Sequence, residues 1–292
     1  MALICYVNGV FCKAEEARVS AFDHGFLYGD GIFESLTAAQ GRIFKLGEHL
    51  DRLERSARAL RLALPEPKER IGEIVKEAVR RSGPAPVYIR VIVTRGEGYP
   101  VLDPRVTRHP SLVVLLHDPT PPPETAGSYS GERGLRLKTA GLRKVPPEVF
   151  EPRVKSLNYL NNVLARLEAI EAGYDEALLL DLRGFLAECP GENIFLVKAG
   201  ALRTPRAFQV LDGITRRAVL ELAAQAGIPA EESDLTLYDL YTADEAFVTS
   251  SFSRVHPVAE VDGRPIPCPG ALTVRLRAQL AALAQTEGEP VG

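Results

Sequence analysis

Apolar residues recur along this chain at intervals of two in some stretches and of three to four in others, and each change of period marks an element. Residues 1–12 alternate around Asn8-Gly9 and predict a hairpin. IFESLTAA and RIFKL, on either side of Gln40-Gly41, predict a second. LGEHLDRLERSARALRLAL and KERIGEIVKEAVRR carry apolar residues at helical spacing, whereas VYIRVIVT and SLVVLLH are rich in β-branched residues and predict strands. The proline-rich DPTPPPETAG (118–127) sustains neither period and predicts a linker. Beyond it, LRLKTA predicts a strand and SLNYLNNVLARLEAIEAG a helix, which would open directly after Lys155. EALLLD, GFLAE and NIFLVK predict short strands with turns at Arg183-Gly184 and Pro190-Gly191. Gly213-Ile214-Thr215 opens the helix TRRAVLELAAQAG, which Gly227 ends. EAFVTSS and VHPVAEV predict two more strands, and TVRLRAQLAALAQ a closing helix.

Mixed helices and strands on both sides of the linker predict an α+β fold of two domains. A small N-terminal domain would cover 1–117, the linker 118–127, and a larger, strand-rich, pseudo-barrel domain 128–292. Composition narrows the class. With 46% hydrophobic and 25% charged residues the chain can bury a core, and its net charge of −3, well interspersed, argues against a nucleic-acid or membrane partner. The first residues lack the basic-then-apolar pattern of a signal peptide. Cys5, Cys12, Cys189 and Cys268 show no CxxC spacing and the histidines no metal-ligand pairing, so no metal is expected. Cys5 and Cys12 would face each other across the first hairpin. Nothing else points to an oxidising compartment, and a cytoplasmic protein is expected. Neither a GxSxG elbow nor a P-loop occurs.

Lysine usage singles out one position. After Lys155 the chain holds a single further lysine, Lys198, in a turn-like LVKAGAL, while arginine is frequent. Arginine can replace a surface lysine but cannot form a Schiff base. Lys155 sits among apolar neighbours in VKSLNYLNNV, where desolvation would favour the neutral, nucleophilic amine; the alternative is an ordinary first-turn lysine. Glu188 ends the otherwise hydrophobic GFLAE and must meet a cation or a donor. A protonated pyridine nitrogen would serve, and so would an arginine at a sheet edge. Gly213-Ile214-Thr215, Thr249-Ser250-Ser251 and Arg52 in HLDRL have the chemistry of a phosphate cradle. They equally suit a helix cap, a polar strand end and a solvated arginine.

Taken in order, YVNG, FLYGDGIFE, HLDRL, VKSLNYLNNVLARLEA, GFLAECPGENIFLVK, LDGITRRAVLELA and EAFVTSSFSRVHPVAEVDG resemble, over nearly the whole chain, the fold-type IV pyridoxal-phosphate enzymes. That family includes branched-chain aminotransferases, D-amino-acid aminotransferases and aminodeoxychorismate lyases. The resemblance implies pyridoxal 5'-phosphate carried as a Schiff base on Lys155, with Glu188 at its ring nitrogen and Tyr159 at its ring hydroxyl. Arg52, Ile214, Thr215 and Ser251 would hold the phosphate. It also implies an active site between a smaller N-terminal and a larger C-terminal domain, and at least a homodimer in which a neighbouring loop completes the pocket.

Within that family, Tyr88 and Arg90 of VYIRV stand where branched-chain aminotransferases carry a Tyr-x-Arg pair. There the tyrosine, with backbone amides near Ser251-Phe252, holds the α-carboxylate, and the arginine suits the second carboxylate of glutamate. Tyr28 and Phe33 would line the side-chain pocket. The implied reaction is ping-pong transfer from a branched-chain or other hydrophobic L-amino acid to 2-oxoglutarate, the freed lysine amine carrying the proton from Cα to C4′ of the cofactor. Departures keep alternatives open. YGDGIFE and KSLN are closer to the D-amino-acid and lyase branches, and YPVLDPRV does not match the glycine-containing substrate loop of the branched-chain type. A D-amino-acid or (R)-amine transaminase, or the lyase, would fit these features. A non-catalytic cofactor binder would need neither Lys155 nor Glu188.

Overall fold

The computed structural model describes residues 2–120 and 133–292, so that residues 121–127 of the expected linker lie outside the described residues. The chain forms two compact units. The first gathers Met1–Pro119, Val154–Asn158 and Leu283–Gly292, and the second Thr120–Arg153 and Tyr159–Ala282. These units differ in extent from the continuous domains expected at 1–117 and 128–292, because the segment around Lys155 and the C-terminus belong to the first.

The first unit is built on a seven-stranded sheet in the order Glu289–Pro290, Arg42–Ile43, Gly31–Ala39, Val87–Thr94, Ser111–His117, Ala2–Val7, Val10–Cys12. Both expected hairpins form. Their turn residues Asn8-Gly9 and Gln40-Gly41 all take positive φ, the geometry that matches the twist of tight hairpins. Cys5 lies opposite Cys12, and both are free thiols. Strand alternation sorts the side chains of Gly31–Ala39 and Val87–Thr94. Ile32, Leu36, Ile89, Val91 and Val93 form one core with Leu46, Leu50 and Leu53 of helix Leu46–Ala59 and Ile71, Ile74 and Val75 of helix Lys68–Ser82. Each such side chain contributes roughly 1.5–3 kcal/mol through burial. Phe33, Ser35 and Thr37 point the other way, opposite Ile92, Arg90 and Tyr88 in the register.

The segment Val154–Asn158 joins this unit as a further extended stretch. Leu157 N donates to Gly31 O and Phe33 N to Lys155 O, each at 2.9 Å, and Ser156 bridges Ile32. Apolar spacing predicts a helix from Ser156, but the helix spans Leu160–Glu171 with Tyr159 as its N-cap. The cause is hydrogen bonding: the peptide groups of 155–157 are taken by strand Gly31–Ala39 and are not available to a helical turn.

The second unit holds a nine-stranded sheet that is parallel in part. Its path runs Glu176–Leu180, Leu135–Arg143, Arg254–Val261, Glu245–Ser250, Glu192–Lys198, Ala201–Thr204, Ala230–Glu232, with Glu188–Cys189 and Arg264–Pro265 attached beside it. The two end strands do not pair, so the sheet is a curled half-barrel rather than a closed one. The expected GFLAE strand contracts to Glu188–Cys189, with Leu186 bridging Leu180 upstream. Leu137, Leu178, Ile194, Leu196, Val248 and Val258 form the core. Ala165 and Ala169 seat helix Leu160–Glu171 against Ala140, Ala177 and Leu179. Among the described residues no helix is long and apolar enough to cross a membrane.

Gly31 makes the pairing of 154–158 possible. A Cβ there would lie 2.6 Å from Leu157 Cδ1 and 2.7 Å from Val93 O, and the latter is backbone that cannot step aside. Gly31→Ala should therefore destabilise the protein by about 1–3 kcal/mol in urea unfolding, the usual cost of overpacking. An unchanged midpoint would show that the segment is not held so closely.

Candidate active site

In the first unit, three expected residues from three separate motifs converge. Lys155 is half-buried, its N–H donates to Ser56 Oγ at 3.4 Å, and its Nζ lies 4.6 Å from the centre of the Phe33 ring. The Arg90 guanidinium stacks on the same ring at 4.3 Å, and its Nε is buried without a hydrogen-bond partner among the described residues. Tyr88, two residues before Arg90 on the same strand face, tilts against His117 at 4.7 Å. Tyr28, at the end of helix His24–Tyr28, packs edge-on to His24.

Arg52 is not the solvated arginine that one reading of HLDRL allows. It is 5% exposed, and its Nε and Nη2 donate to the two oxygens of Glu34, each at 2.7 Å. His49, one helical turn earlier, donates from Nδ1 to Glu34 Oε2 at 2.7 Å. Glu34 is fully buried. Burial opposes its ionisation, but the Arg52 charge and the hydrogen bonds from Arg52 and His49 outweigh that and hold its carboxyl well below the usual range. Burial likewise pushes the His49 imidazole below its ordinary value, against the pull of Glu34 and with the charges of Arg52 and Lys155 adding to the effect.

In the second unit, Glu188 is 5% exposed, and both its oxygens are bonded. Its Oε1 meets Lys144 Nζ at 2.6 Å, and its Oε2 accepts from Asn193 Nδ2 and Leu211 N, both at 3.1 Å. Asn193 also donates to Leu211 O at 2.9 Å and sits opposite Thr249 in the sheet. Beside it, Gly213 is the N-cap of helix Ile214–Gln225, with no side chain capping the free N–H groups that follow. A Cβ on Gly213 would overlap Asn193 Oδ1, so only glycine fits. Ile214 and Thr215 are buried, and Thr249 Oγ1 is buried without a partner among the described residues. Ser251 and Phe252 lie in the turn after strand Glu245–Ser250, where Ser250 Oγ accepts from Ser253 N at 3.0 Å. Tyr159 caps helix Leu160–Glu171. Lys198 is exposed and pairs with Asp244 at 3.3 Å, a surface lysine as expected.

Sequence reasoning missed Glu34, His49, Lys144 and Asn193. Glu34 carried a usable signal, since it interrupts the apolar run of IFESLTAA just as Glu188 ends GFLAE.

The class IV amino-transferase family matches residues 31–261. The chain belongs to the class IV aminotransferases. It is 48% identical, over 89% of its length and 88% of the other's, to a Methanocaldococcus jannaschii protein provisionally named a branched-chain-amino-acid aminotransferase. It is similar to the crystal structure of a branched-chain amino acid aminotransferase from T.th., complexed with N-(5'-phosphopyridoxyl)-L-glutamate. The TM-score is 0.90 at 34% identity, with 97% of this chain and 94% of that one covered. A branched-chain aminotransferase from Thermoproteus uzoniensis with norvaline aligns over 100% of both chains, with a TM-score of 0.91 and 31% identity.

The aminotransferase uses pyridoxal 5'-phosphate, and its own groups fit that molecule. Each unit taken by itself offers groups that such a molecule can use: the first a half-buried amine beside an aromatic ring, the second a buried carboxylate and, among the described residues, an uncapped helix N-terminus and an unpartnered hydroxyl.

The Glu34 network predicts a pH signature. Glu34→Gln leaves Arg52 buried without its countercharge and should cost about 3–5 kcal/mol near neutral pH. Because the folded carboxyl is depressed, the wild type's advantage is complete above the unfolded value of about 4.3 and is lost as pH falls below it. Urea unfolding across that range should show the gap closing on acidification. A constant gap would mean that Glu34 acts by packing alone.

Proposed function

We propose that this aminotransferase moves the amino group of a branched-chain or other hydrophobic L-amino acid to 2-oxoglutarate in a ping-pong cycle. The observation that carries this reading is the Phe33 ring, shared by the Lys155 ammonium and the Arg90 guanidinium. An amine able to move a proton and a cation able to take a carboxylate thus stand at one apolar surface. The relatives' names support the choice of substrate.

Lys155 holds the cofactor through Nζ and, once displaced by the incoming amine, carries the proton between the substrate Cα and the cofactor. Glu188 serves the ring nitrogen, Tyr159 the ring hydroxyl, and Arg52, Ser251 and the N–H groups of Ile214 and Thr215 the phosphate. When bound, the cofactor supplies the electron sink that makes Cα acidic. Tyr88, with backbone N–H groups at Ser251-Phe252, takes the α-carboxylate. Arg90 takes the second carboxylate of glutamate, and its buried, unpartnered Nε is a donor suited to that task. Tyr28 and Phe33 offer an apolar wall to the substrate side chain.

We also propose a homodimer in the cytoplasm. Helix Leu160–Glu171 carries an exposed apolar stripe of Leu160, Val163, Leu164, Leu167 and Ile170, 44–69% exposed. A run of five such side chains at helical spacing is the pattern of a face covered in an assembly.

Absorbance spectra of the cofactor-loaded protein before and after L-leucine alone test the reaction. Conversion to the pyridoxamine form with release of 2-ketoisocaproate is the expected result. An unchanged spectrum with L-leucine, but conversion with D-alanine or an (R)-amine, would overturn the substrate choice. Lys155→Ala should lose turnover while its thermal unfolding stays near wild type, and persistent turnover would remove Lys155 from the mechanism.

A further inference from the structure

We propose that Lys144 is the positioning residue of Glu188: its ammonium, in contact with the carboxylate, holds it aimed at the cofactor's ring nitrogen and thereby keeps the proton on that nitrogen. The inference rests on the reading of Glu188 given above and adds a residue to it.

The geometry is that of a buried pair. The side chains of Lys144 and Glu188 are 13% and 6% exposed, and Nζ stands 2.6 Å from Oε1. Lys144 directly follows strand Leu135–Arg143, and its N–H donates to Leu180 O at 2.9 Å, which anchors the base of a long, flexible side chain. The other contacts of Glu188, Asn193 Nδ2 and Leu211 N, are neutral donors on Oε2. Neutral donors alone offset only part of the desolvation of a buried carboxylate, whereas a cation in direct contact offsets far more.

The choice of cation matters. Arginine binds a carboxylate as a fork and takes both oxygens, as Arg52 does with Glu34. Lysine is a point charge that needs one lone pair. A carboxylate has about four such sites, and three donors are in place, so Glu188 keeps capacity for a ring N–H. Once the ring nitrogen and the carboxylate share one proton, it rests on whichever group holds it more strongly. An ammonium against the carboxylate weakens the carboxylate's hold and leaves the proton on the ring, where it strengthens the electron sink.

The test uses the cofactor labelled with 15N in its ring, bound to wild type, Lys144→Gln, Glu188→Gln and the double variant. Lys144→Gln keeps a donor and removes the charge. The wild type should show a protonated ring nitrogen. K144Q should move the resonance toward neutral pyridine and weaken cofactor binding on the order of tenfold, the equivalent of one pKa unit. In the E188Q background K144Q should change neither quantity further, because the effect passes through Glu188. An unchanged resonance and affinity in K144Q would overturn the proposal. A K144Q protein that folds only when E188Q is added would uphold the pair, and one that stays unfolded in the double variant would overturn it. Wild type that takes up no cofactor would instead sink the functional reading itself, a distinct outcome.

Discussion

The backbone pairing of residues 154–158 with strand Gly31–Ala39 is the constraint on which the rest of the first unit's site depends. Two hydrogen bonds of 2.9 Å fix the main chain at Lys155 and Leu157. A lysine side chain alone costs up to about 2 kcal/mol in rotamer freedom to immobilise. Anchoring its backbone in a sheet register removes the larger uncertainty of where that side chain starts. Register also decides the face, since a one-residue slip would turn Lys155 away from Phe33. The bare Cα of Gly31 and the hydroxyl of Ser56 both exist at this contact to let the segment lie close.

Two buried glutamates show two ways of placing charge inside a protein. Glu34 is gripped by a bidentate arginine and an imidazole, which make a rigid support under Arg52. Glu188 is held by one ammonium and two neutral donors. The first is fixed by a planar fork across both oxygens, the second by a point charge on one oxygen. Arg52 is thereby oriented by its strand partner rather than by solvent.

The start of helix Ile214–Gln225 follows the same economy of partners. A serine or aspartate at position 213 would cap the helix and stabilise it by about 1 kcal/mol. Gly213 leaves the N–H groups open, and Asn193 fills the space where a side chain would be. Asn193 therefore serves two neighbours, bonding Glu188 and excluding any residue but glycine from the cap. Open donors and a Thr249 hydroxyl unpartnered among the described residues are costly in a finished fold, and they suit the proposed phosphate site.

Apolar periodicity and turn residues along the chain suffice for most of the elements and for the α+β class. Periodicity of two and of three to four registers which face of each element is buried, and FLYGDGIFE carries Gly31 where the chain approaches the backbone of Val93. The sequence misplaced the start of the helix after Lys155, because apolar spacing cannot reveal that those peptide groups bond to a strand more than 120 positions earlier. It also left the partners of Glu34 and Glu188 unnamed. Each lies on a strand whose neighbours announce burial, but the answering charges, Arg52 with His49 and Lys144, come from elements that only folding brings alongside. A sequence records that a buried charge must be answered; the tertiary structure decides by which residue, because contact at 2.6–2.7 Å is a property of packing and not of order along the chain.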